Sequence, residues 1–336
     1  MREGSIVVTG SVAYDYLMSF PGKFTDVVVP DRMHRLSVSF LVDEMRKVRG
    51  GVAPNIAYNL ALLGARPAIL ASAGADAVDY KEWLRSEGVD VTGLAIHEDI
   101  FTASFFVSTD QVQNQIATFY AGAMARAATL TLRSLGHGAS LVVVSPDDPA
   151  AMSAHARECR ELGLPFVFDP SQQLARLSKE DILDGIDGAA ILIGNEYEFG
   201  ILEKKTGLSE SELLARVPVV VITRGEEGST IALRGGTPDG PPGASTMRIP
   251  PASLHGTAVD PTGVGDAFRA GLLAARAKGL PWDVAGRVGS VAAVFALESM
   301  GPQPVRYSPE VFLARFRESF PSQGGHAGVA GLWERG

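Results

Sequence analysis

The chain has 336 residues, of which 46% are hydrophobic and 20% charged, as in a globular protein that buries a large core. Its formal net charge of −8 excludes the domain-sized basic surface that nucleic-acid binding requires. One cysteine and six scattered histidines exclude an internal disulfide and the common zinc motifs, and no apolar run approaches membrane-spanning length, so we expect a cytoplasmic protein without nucleic-acid or membrane partners.

The first predicted element is a buried β-strand over Ser5 to Ser11, where a β-branched run ends in a glycine turn. The pattern then becomes irregular. Much later, Thr102 to Tyr120 alternates between polar and apolar residues, which is typical of antiparallel strands with one exposed face. We therefore predict that residues 16–49 and 100–122 form a small β-sheet lid separate from the main body.

A helix is predicted over Ala53 to Leu63, because the apolar residues have helical spacing and a glycine follows. After it, short apolar strands alternate with helical segments such as Pro149–Leu162 and Tyr197–Thr206. This alternation predicts an α/β fold, with a doubly wound, mostly parallel sheet and helices on both faces. The strands predicted here are Ala68–Ala73, Leu141–Ser145, Phe166–Asp169, Ala190–Gly194, Val219–Thr223 and Thr230–Leu233.

Two further helices are predicted over Asp266 to Lys278 and Trp282 to Ser299, each closed by a glycine. The segment 321–336 is rich in glycine and lacks periodicity, so we predict a flexible tail there. The large αβα domain is then predicted to comprise residues 1–15, 50–99 and 123–320.

The glycine-rich stretch DPTGVGDAFRAGLL, residues 260–273, carries the most chemical information. The amides of Gly263, Val264 and Gly265 are expected at a helix N-terminus, where unpaired N–H groups and the helix dipole bind anions. Asp266 follows in the first turn, placed to accept the proton of an attacking hydroxyl. These features favour phosphoryl transfer. The alternative from the residues alone is a tight turn followed by a helix-capping aspartate.

The motif DPTGVGDAFRAG resembles the C-terminal signature of the ribokinase, or PfkB, superfamily of carbohydrate and nucleoside kinases. The segments GSVAYD (10–15) and RGGVAPNIAYNLALLG (49–64) resemble the opening signature of the same family. Both signatures stand in the family's order, and the resemblance covers roughly residues 5–315. It implies a ribokinase-like fold and a kinase that uses ATP and Mg²⁺.

Within this superfamily the sequence is most similar to adenosine kinases of actinobacterial type. The similar stretches are Asp15–Gly22, Ser39–Asp43, Phe119–Met124, Asp169–Leu177, Asn195–Glu198 and Ala296–Ser299. The resemblance implies phosphorylation of the 5′-hydroxyl of adenosine, as in purine salvage. It also implies a homodimer formed through the lid.

The resemblance assigns several residues to nucleoside binding. Asp15 is expected to accept hydrogen bonds from two ribose hydroxyls, and Asn55 with the Gly51 amide completes the sugar site. An Asx-turn for Asp15 and a helix-start role for Asn55 are the alternatives from the residues alone. The substrate-binding residues expected in full are Ser11, Asp15, Ser39, Gly50, Gly51, Asn55, Phe105, Phe119, Gln172, Gln173 and Arg176.

The adenine base is expected to contact the last five residues of that list. The resemblance places Gln172, Gln173 and Arg176 near the nucleoside, and amide side chains suit a base because each offers a donor and an acceptor. Phe105 and Phe119, on the predicted lid, are placed to enclose an adenine ring. For these two aromatic residues the alternative is an ordinary role in the core of the lid.

A second group of residues resembles the phosphate and metal site of the family. Glu198, in the NxxE motif, is expected to order water around Mg²⁺, although a solvated helix start explains its charge equally well. Asp260 lies where many relatives bind a monovalent cation, which implies K⁺ here. The expected ATP-binding residues are Asn195, Thr223, Gly225, Gly228, Gly263 and Gly265.

Three other functions compete with adenosine phosphorylation. A PfkB-type sugar kinase, acting on ribose or fructose, would use the same fold and phosphate site. A dinucleotide-binding oxidoreductase is disfavoured, because no GxGxxG follows the first strand. A binding protein without catalysis is disfavoured, because Asp266, Glu198 and the glycines are all present.

Overall fold

The structure, a computed structural model, describes residues 5–27, 37–135, 138–237, 240 and 242–334. Its strands are β1 (Ser5–Thr9), β2 (Ala13–Ser19), β3 (Glu44–Gly50), β4 (Ala68–Gly74), β5 (Asp90–His97), β6 (Ala103–Thr109), β7 (Gln115–Tyr120), β8 (Ala139–Val144), β9 (Phe166–Phe168), β10 (Ile191–Asn195), β11 (Val219–Thr223), β12 (Ser229–Leu233) and β13 (Ser245–Ile249). Its helices are α1 (Phe24–Val27), α2 (Val52–Leu62), α3 (Val78–Ser86), α4 (Pro149–Leu162), α5 (Lys179–Ile186), α6 (Glu196–Thr206), α7 (Glu210–Arg216), α8 (Val264–Ala277), α9 (Trp282–Leu297), α10 (Pro309–Ser319) and α11 (His326–Ala330).

The main sheet has the strand order β13-β12-β11-β10-β9-β8-β1-β4-β5. Its pairs are parallel from β5 through β11, and the two pairs that join β11, β12 and β13 are antiparallel. The predicted mostly parallel, doubly wound sheet is therefore confirmed. The strand order changes direction at β1. In such sheets, ligands bind at the carboxyl ends of the strands next to this point.

Helices cover both faces of the sheet because successive strand residues point in opposite directions. Along β1, Ile6 and Val8 join the core beneath α2, α8 and α9, whereas Val7 joins the core beneath α4 and α5. All three side chains are almost fully buried. A strand that is buried on both faces needs apolar residues at successive positions, and this explains the continuous apolar run in the sequence. Among the described residues, none of the helices is long and apolar enough to cross a membrane.

A second, smaller sheet has the order β3-β2-β6-β7, and we call it the lid sheet. Strand β2 pairs antiparallel with β3 and parallel with β6, and β6 pairs antiparallel with β7. The predicted small sheet is thus confirmed, although β2 begins at Ala13, before the predicted boundary. Part of the predicted lid segment 16–49 lies outside the described residues. The domain boundaries stay predictions.

The C-terminal segment differs from the flexible tail that its composition predicts. It forms α11, then a turn over Gly331–Trp333, and it buries Val329 and Leu332. Trp333 Nε1 donates a hydrogen bond to the carbonyl of Leu62 (2.8 Å), at the end of α2. The C-terminal segment can dock although its few apolar side chains have no periodicity, because the surface of the main domain supplies the rest of the contact.

Truncation of the docked tail side chain should destabilise the protein. We expect Leu332→Ala to lower the free energy of unfolding by about 3 kcal/mol, the usual cost of removing a buried leucine side chain. Leu41→Ala, at a position that is 84% exposed, should change it by less than about 0.5 kcal/mol. Urea unfolding of both variants measures the difference. Equal effects would mean that the tail is not packed against the domain.

Candidate active site

A cavity of about 560 Å³ opens where the carboxyl ends of the strands around β1 face the lid sheet, and we call it the central cavity. Its size is that of a small-molecule site. It brings together most of the residues predicted for substrate and phosphate. Its lining comprises Ser11, Ala13, Asp15, Gly51, Val52, Asn55, Phe105, Phe119, Met124, Ser171, Gln172, Gln173, Arg176, Asn195, Glu198, Thr262, Gly263, Gly265, Asp266 and Arg269.

The N-terminus of α8 forms one wall of the cavity. Gly263 precedes the helix with a φ of 77°, and a Cβ there would lie 2.6 Å from Pro302, so only glycine fits. The amide of Val264 donates to the carbonyl of Pro261 (3.4 Å), and Val264 does not line the cavity. The expected anion site therefore reaches the cavity through Gly263 and Gly265.

Asp266 lies in the first turn of α8 with 13% of its side chain exposed. Its Oδ2 accepts a hydrogen bond from Asn55 Nδ2 on α2 (2.9 Å). Burial raises the pKa of Asp266 to about 6, while the Arg269 guanidinium and the Asn55 amide oppose that rise. A carboxylate in this pKa range is ionised at neutral pH and can accept a proton from a hydroxyl.

Arg269, one turn along α8, is a central residue of the site that the sequence analysis did not single out. Its Nε lies 2.5 Å from Asp169 Oδ2, and its Nη2 donates to Asp169 Oδ1 (2.8 Å). Its guanidinium is also 4.0 Å from Glu198 and 3.9 Å from Asp266. The i, i+3 spacing from Asp266 inside the motif was the available signal. One cation thus serves three carboxylates.

Burial dominates the electrostatics of this cluster. The side chain of Arg269 is 9% exposed and that of Asp169 is fully buried. Burial raises the pKa of Asp169 to about 7, and the charge of Arg269 opposes this rise. Among the described residues, Arg269 is the cation that acts on both Asp169 and Asp266, so without it these buried carboxylates would lose that compensating charge.

The lid sheet places three predicted residues side by side. Asp15 on β2 is in register with Phe105 on β6, which is in register with Phe119 on β7, and all three line the cavity. Burial, and then the charge of Asp260, raise the pKa of Asp15 to about 6. A Cβ at Gly50 would lie 2.6 Å from Asp15 Oδ2, so glycine leaves room for this carboxylate.

The turn over Ser171–Ala175, which follows β9, supplies the predicted amide side chains. Gln172 and Arg176 are exposed where they line the cavity, whereas Gln173 is 7% exposed. Within the described residues, the Oε1 of Gln173 receives no hydrogen bond. A buried acceptor without a donor is costly, so this oxygen is suited to receive a hydrogen bond from a ligand.

Asn195 and Glu198 form the capping box of α6, so Glu198 does lie at a helix start, the alternative given for it above. Glu198 Oε2 accepts from the Asn195 amide (2.7 Å), and Oε1 accepts from Ser171 Oγ (3.0 Å). The described part of the chain holds no cluster of three or more residues suited to ligate a metal directly. The assignment of Glu198 to water around Mg²⁺ stays a prediction.

The other predicted residues lie outside the cavity lining. Ser39 is exposed, and Thr223 lies beside Asn195 on the neighbouring strand, followed by Gly225 and Gly228 in a turn. Arg224 is paired with Glu196. Asp260 accepts from the amides of Thr262 (2.9 Å) and Gly301 (3.0 Å), which joins two turns next to α8. Its assignment to a monovalent cation stays a prediction.

Comparison with known proteins identifies relatives over most of the chain. The family described as pfkB family carbohydrate kinase matches residues 9–307. The nucleoside kinase of Methanothermobacter thermautotrophicus is 30% identical over 310 residues, which cover 90% of this chain and 92% of that protein. The structure of the Burkholderia thailandensis nucleoside kinase in complex with inosine is 34% identical, with a TM-score of 0.81 and coverage of 95% of this chain and 99% of that one.

A solved structure of the Methanocaldococcus jannaschii nucleoside kinase is similar in the same way. It has a TM-score of 0.82 and 26% identity, and covers 94% of this chain and 99% of that chain. The Burkholderia enzyme was also solved with ADP and inosine together, at 35% identity, a TM-score of 0.79 and coverage of 95% and 97%. Each match extends over both the main sheet and the lid sheet.

Loss of the buried cation should be far more costly than loss of an exposed one. We expect Arg269→Met to destabilise the protein by about 3–5 kcal/mol at pH 8, because it leaves buried carboxylates unpaired. The loss should shrink towards pH 5, because the charge of Arg269 lowers the pKa of Asp169, so that without it the native variant binds a proton at higher pH than the native wild type does. Urea unfolding at the two pH values measures it.

A matched control is available in an exposed ion pair. Arg126 binds Asp99, with side chains that are 38% and 68% exposed, so Arg126→Met should cost less than about 1 kcal/mol. The double variant Arg269→Met/Asp169→Leu should recover part of the stability that Arg269→Met loses. Similar small losses for both arginine variants would contradict the central role of Arg269.

Proposed function

Because the chain belongs to the pfkB family of carbohydrate kinases, we propose that it transfers the γ-phosphoryl group of ATP to the 5′-hydroxyl of adenosine, giving AMP and ADP. Such a reaction would serve purine nucleoside salvage. The observation that carries this proposal is the placement of Asp266, at a glycine-rich helix N-terminus, in the same cavity as Asp15 and the aromatic residues of the lid.

The proposed chemistry follows from the surroundings of Asp266. Its Oδ2 is held by Asn55, whereas Arg269 Nη1 lies 3.9 Å from Oδ1, beyond hydrogen-bond distance, so Oδ1 is the oxygen proposed to accept from the 5′-hydroxyl. As the O–P bond forms, the hydroxyl proton moves to Asp266, the bond to the β-phosphate oxygen breaks, and ADP leaves. The helix N-terminus at Gly263 and Gly265 stabilises the charge on the transferring group.

A nucleoside fits the cavity better than a free sugar does. Asp15, Phe105 and Phe119 lie side by side on adjacent strands. Asp15 offers two oxygens to a ribose, and the two phenylalanines offer an apolar surface to a base. The Oε1 of Gln173, which receives no hydrogen bond from the part of the chain that the structure describes, suits an amino group such as that of adenine. A free pentose or hexose would leave these aromatic side chains and this acceptor without a ligand.

The phosphates of ATP are proposed to lie between Asn195, the turn after Thr223 and the N-terminus of α8. A Mg²⁺ ion, when bound, would neutralise the phosphate charge and retain waters ordered by Glu198. Ser171 and the Asn195 amide hold the Glu198 carboxylate in place for this role.

The face of the lid sheet that points away from the cavity is proposed to form a homodimer. Tyr16 and Phe106 stack there at 4.7 Å, and Phe106, Ile116 and Met45 are 37%, 46% and 62% exposed. Such an apolar sheet face is costly in water, and a second copy would cover it. The proposed dimer therefore uses one face of the sheet, and the nucleoside uses the other.

A substrate screen tests the proposed function. With Mg-ATP, the purified protein should phosphorylate adenosine with a higher kcat/KM than inosine, cytidine, ribose or fructose, as measured by ADP release. Asp266→Asn should lower kcat by about 100-fold or more with little change in KM, because the cavity keeps its shape but the base is lost. A sugar as best substrate would refute the nucleoside assignment, and an active Asp266→Asn enzyme would refute the proposed mechanism.

Two variants of β7 test the two faces of the lid sheet. Phe119→Ala should weaken adenosine binding by about 1–3 kcal/mol, the scale of stacking on a base, while the protein stays dimeric and binds an ATP analogue normally. Ile116→Arg, on the opposite face, should yield a monomer by sedimentation, because it buries an unpaired charge in the dimer. Unchanged adenosine affinity or an unchanged dimer would remove the corresponding face from the proposal.

A further inference from the structure

A chain of hydrogen bonds connects a buried tyrosine to the catalytic carboxylate through two amides. Tyr80 OH donates to the carbonyl of Gly50 (3.0 Å), and Gln303 Nε2 donates to Tyr80 OH (2.6 Å) and to Asn55 Oδ1 (3.2 Å). Asn55 Nδ2 donates to Asp266 Oδ2 (2.9 Å). These groups come from α3, α2, α8 and the turn after α9, so the chain connects segments that are distant in sequence.

The chemistry of the donors fixes the direction of every bond in this chain. A hydroxyl has one proton, and that of Tyr80 is used on the Gly50 carbonyl, so the tyrosine oxygen must accept from Gln303. Gln303 therefore presents its NH₂ group to the chain, and only the oxygen of Asn55 can face it. The NH₂ group of Asn55 is then left to face Asp266.

The reverse orientation of the Asn55 amide would create two unfavourable contacts. Its NH₂ group would oppose that of Gln303, and its oxygen would oppose the carboxylate of Asp266. Burial makes such mismatches costly, since Tyr80 is fully buried and Asn55 is 4% exposed. Gln303 thus decides which atom of Asn55 the carboxylate meets.

We infer that Gln303 is a positioning residue for phosphoryl transfer, which fixes the amide of Asn55 and thereby the orientation of the Asp266 carboxylate. The hydrogen bond to Oδ2 stops the carboxylate from rotating and leaves Oδ1 for the acceptor hydroxyl. Gln303 itself does not line the central cavity, so it acts without touching the substrate. This inference rests on the proposed role of Asp266 as the base.

The surroundings of Asp266 allow the effect of Gln303 to be separated from that of other charged groups. Arg269 on α8, Glu198 on α6 and Asp169 after β9 interact with the carboxylate, whereas Gln303 is hydrogen-bonded to Tyr80 and Asn55, and the charged groups that line a pocket with it are Lys47, Arg49 and Asp79. A change at Gln303 therefore reaches Asp266 through Asn55. A double-mutant cycle measures this coupling between Gln303 and Asn55.

The experiment compares Gln303→Met, Asn55→Ala and the double variant in steady-state kinetics and in adenosine titrations. Gln303→Met keeps the length of the side chain but removes both donors, and we expect kcat to fall about tenfold, the scale of one lost oriented hydrogen bond. Adenosine affinity should stay within about twofold. The double variant should be no slower than Asn55→Ala alone. Gln323→Met, at an exposed position, is the control for the same chemical change.

Gln303→Glu supplies a second, independent readout. The new carboxylate can only accept, so it should take the Asn55 NH₂ group and turn the Asn55 oxygen towards Asp266. That oxygen favours a protonated Asp266, so the acidic limb of the kcat profile should move to higher pH, further than in Gln303→Met. Direct repulsion between the two carboxylates would move the limb equally in Gln303→Glu/Asn55→Ala, whereas a shift that acts through the Asn55 amide should be smaller in that double variant.

The outcomes separate this inference from the proposed function. Normal kcat in Gln303→Met, or a double variant whose losses are the product of the two single losses, would overturn the role of Gln303 even if Asp266→Asn is inactive. If wild-type protein phosphorylates no nucleoside, or Asp266→Asn keeps its activity, the proposed function fails and the inference fails with it. An unchanged acidic limb in Gln303→Glu would also overturn the inference.

Discussion

One buried guanidinium holds together the carboxylates beside the central cavity. Arg269 lies between carboxylates from three separate elements: Asp169 after β9, Glu198 on α6 and Asp266 on α8. In a parallel sheet the carboxyl ends of adjacent strands converge on one edge, and polar side chains that follow them are brought together there. Such convergence would leave several negative charges in a poorly solvated place. A cation from inside the α8 motif makes that arrangement possible, and it does so next to the glycines that would meet a phosphate.

A short loop connects the lid sheet to this edge of the main sheet. Strand β1 ends at Thr9, and β2 of the lid sheet starts at Ala13, so the chain leaves the main sheet at the point where its strand order reverses. The same crossing places Asp15 opposite α8, and the return from β3 through Gly50 leads directly into α2 with Asn55. Asp15, which is proposed to bind the sugar, is therefore a few residues from the end of β1, and Asn55, which is proposed to orient the base, is a few residues from the end of β3. This connection explains why Asp15 and Asn55 are close in sequence, whereas the residues of α8 reach the same cavity from a distant part of the chain.

Sequence reasoning predicted the α/β class, the lid sheet and most of the cavity lining, because these depend on local patterns and on motifs with fixed spacing. Helix α4 has the predicted bounds, since an N-cap aspartate, a proline and a closing glycine all mark its ends. Arg269 and Gln303 were not predicted to act in the site, because their partners are about 100 and 248 residues away in sequence. Strand β5 and the docked C-terminal segment were missed for a related reason: what stabilises them is the surface they meet, which no local pattern describes.

The structural alternatives considered for the site residues are not exclusive of function. Glu198 caps α6 and also lines the cavity, and Asn55 lies at the start of α2 while it donates to Asp266. Each side chain is thus held by backbone or amide partners before any ligand arrives. A preorganised carboxylate does not have to reorient during the reaction, and that is where such a site gains over water. The hydrogen bonds that make these residues look structural are, on this argument, the reason they can act on a substrate.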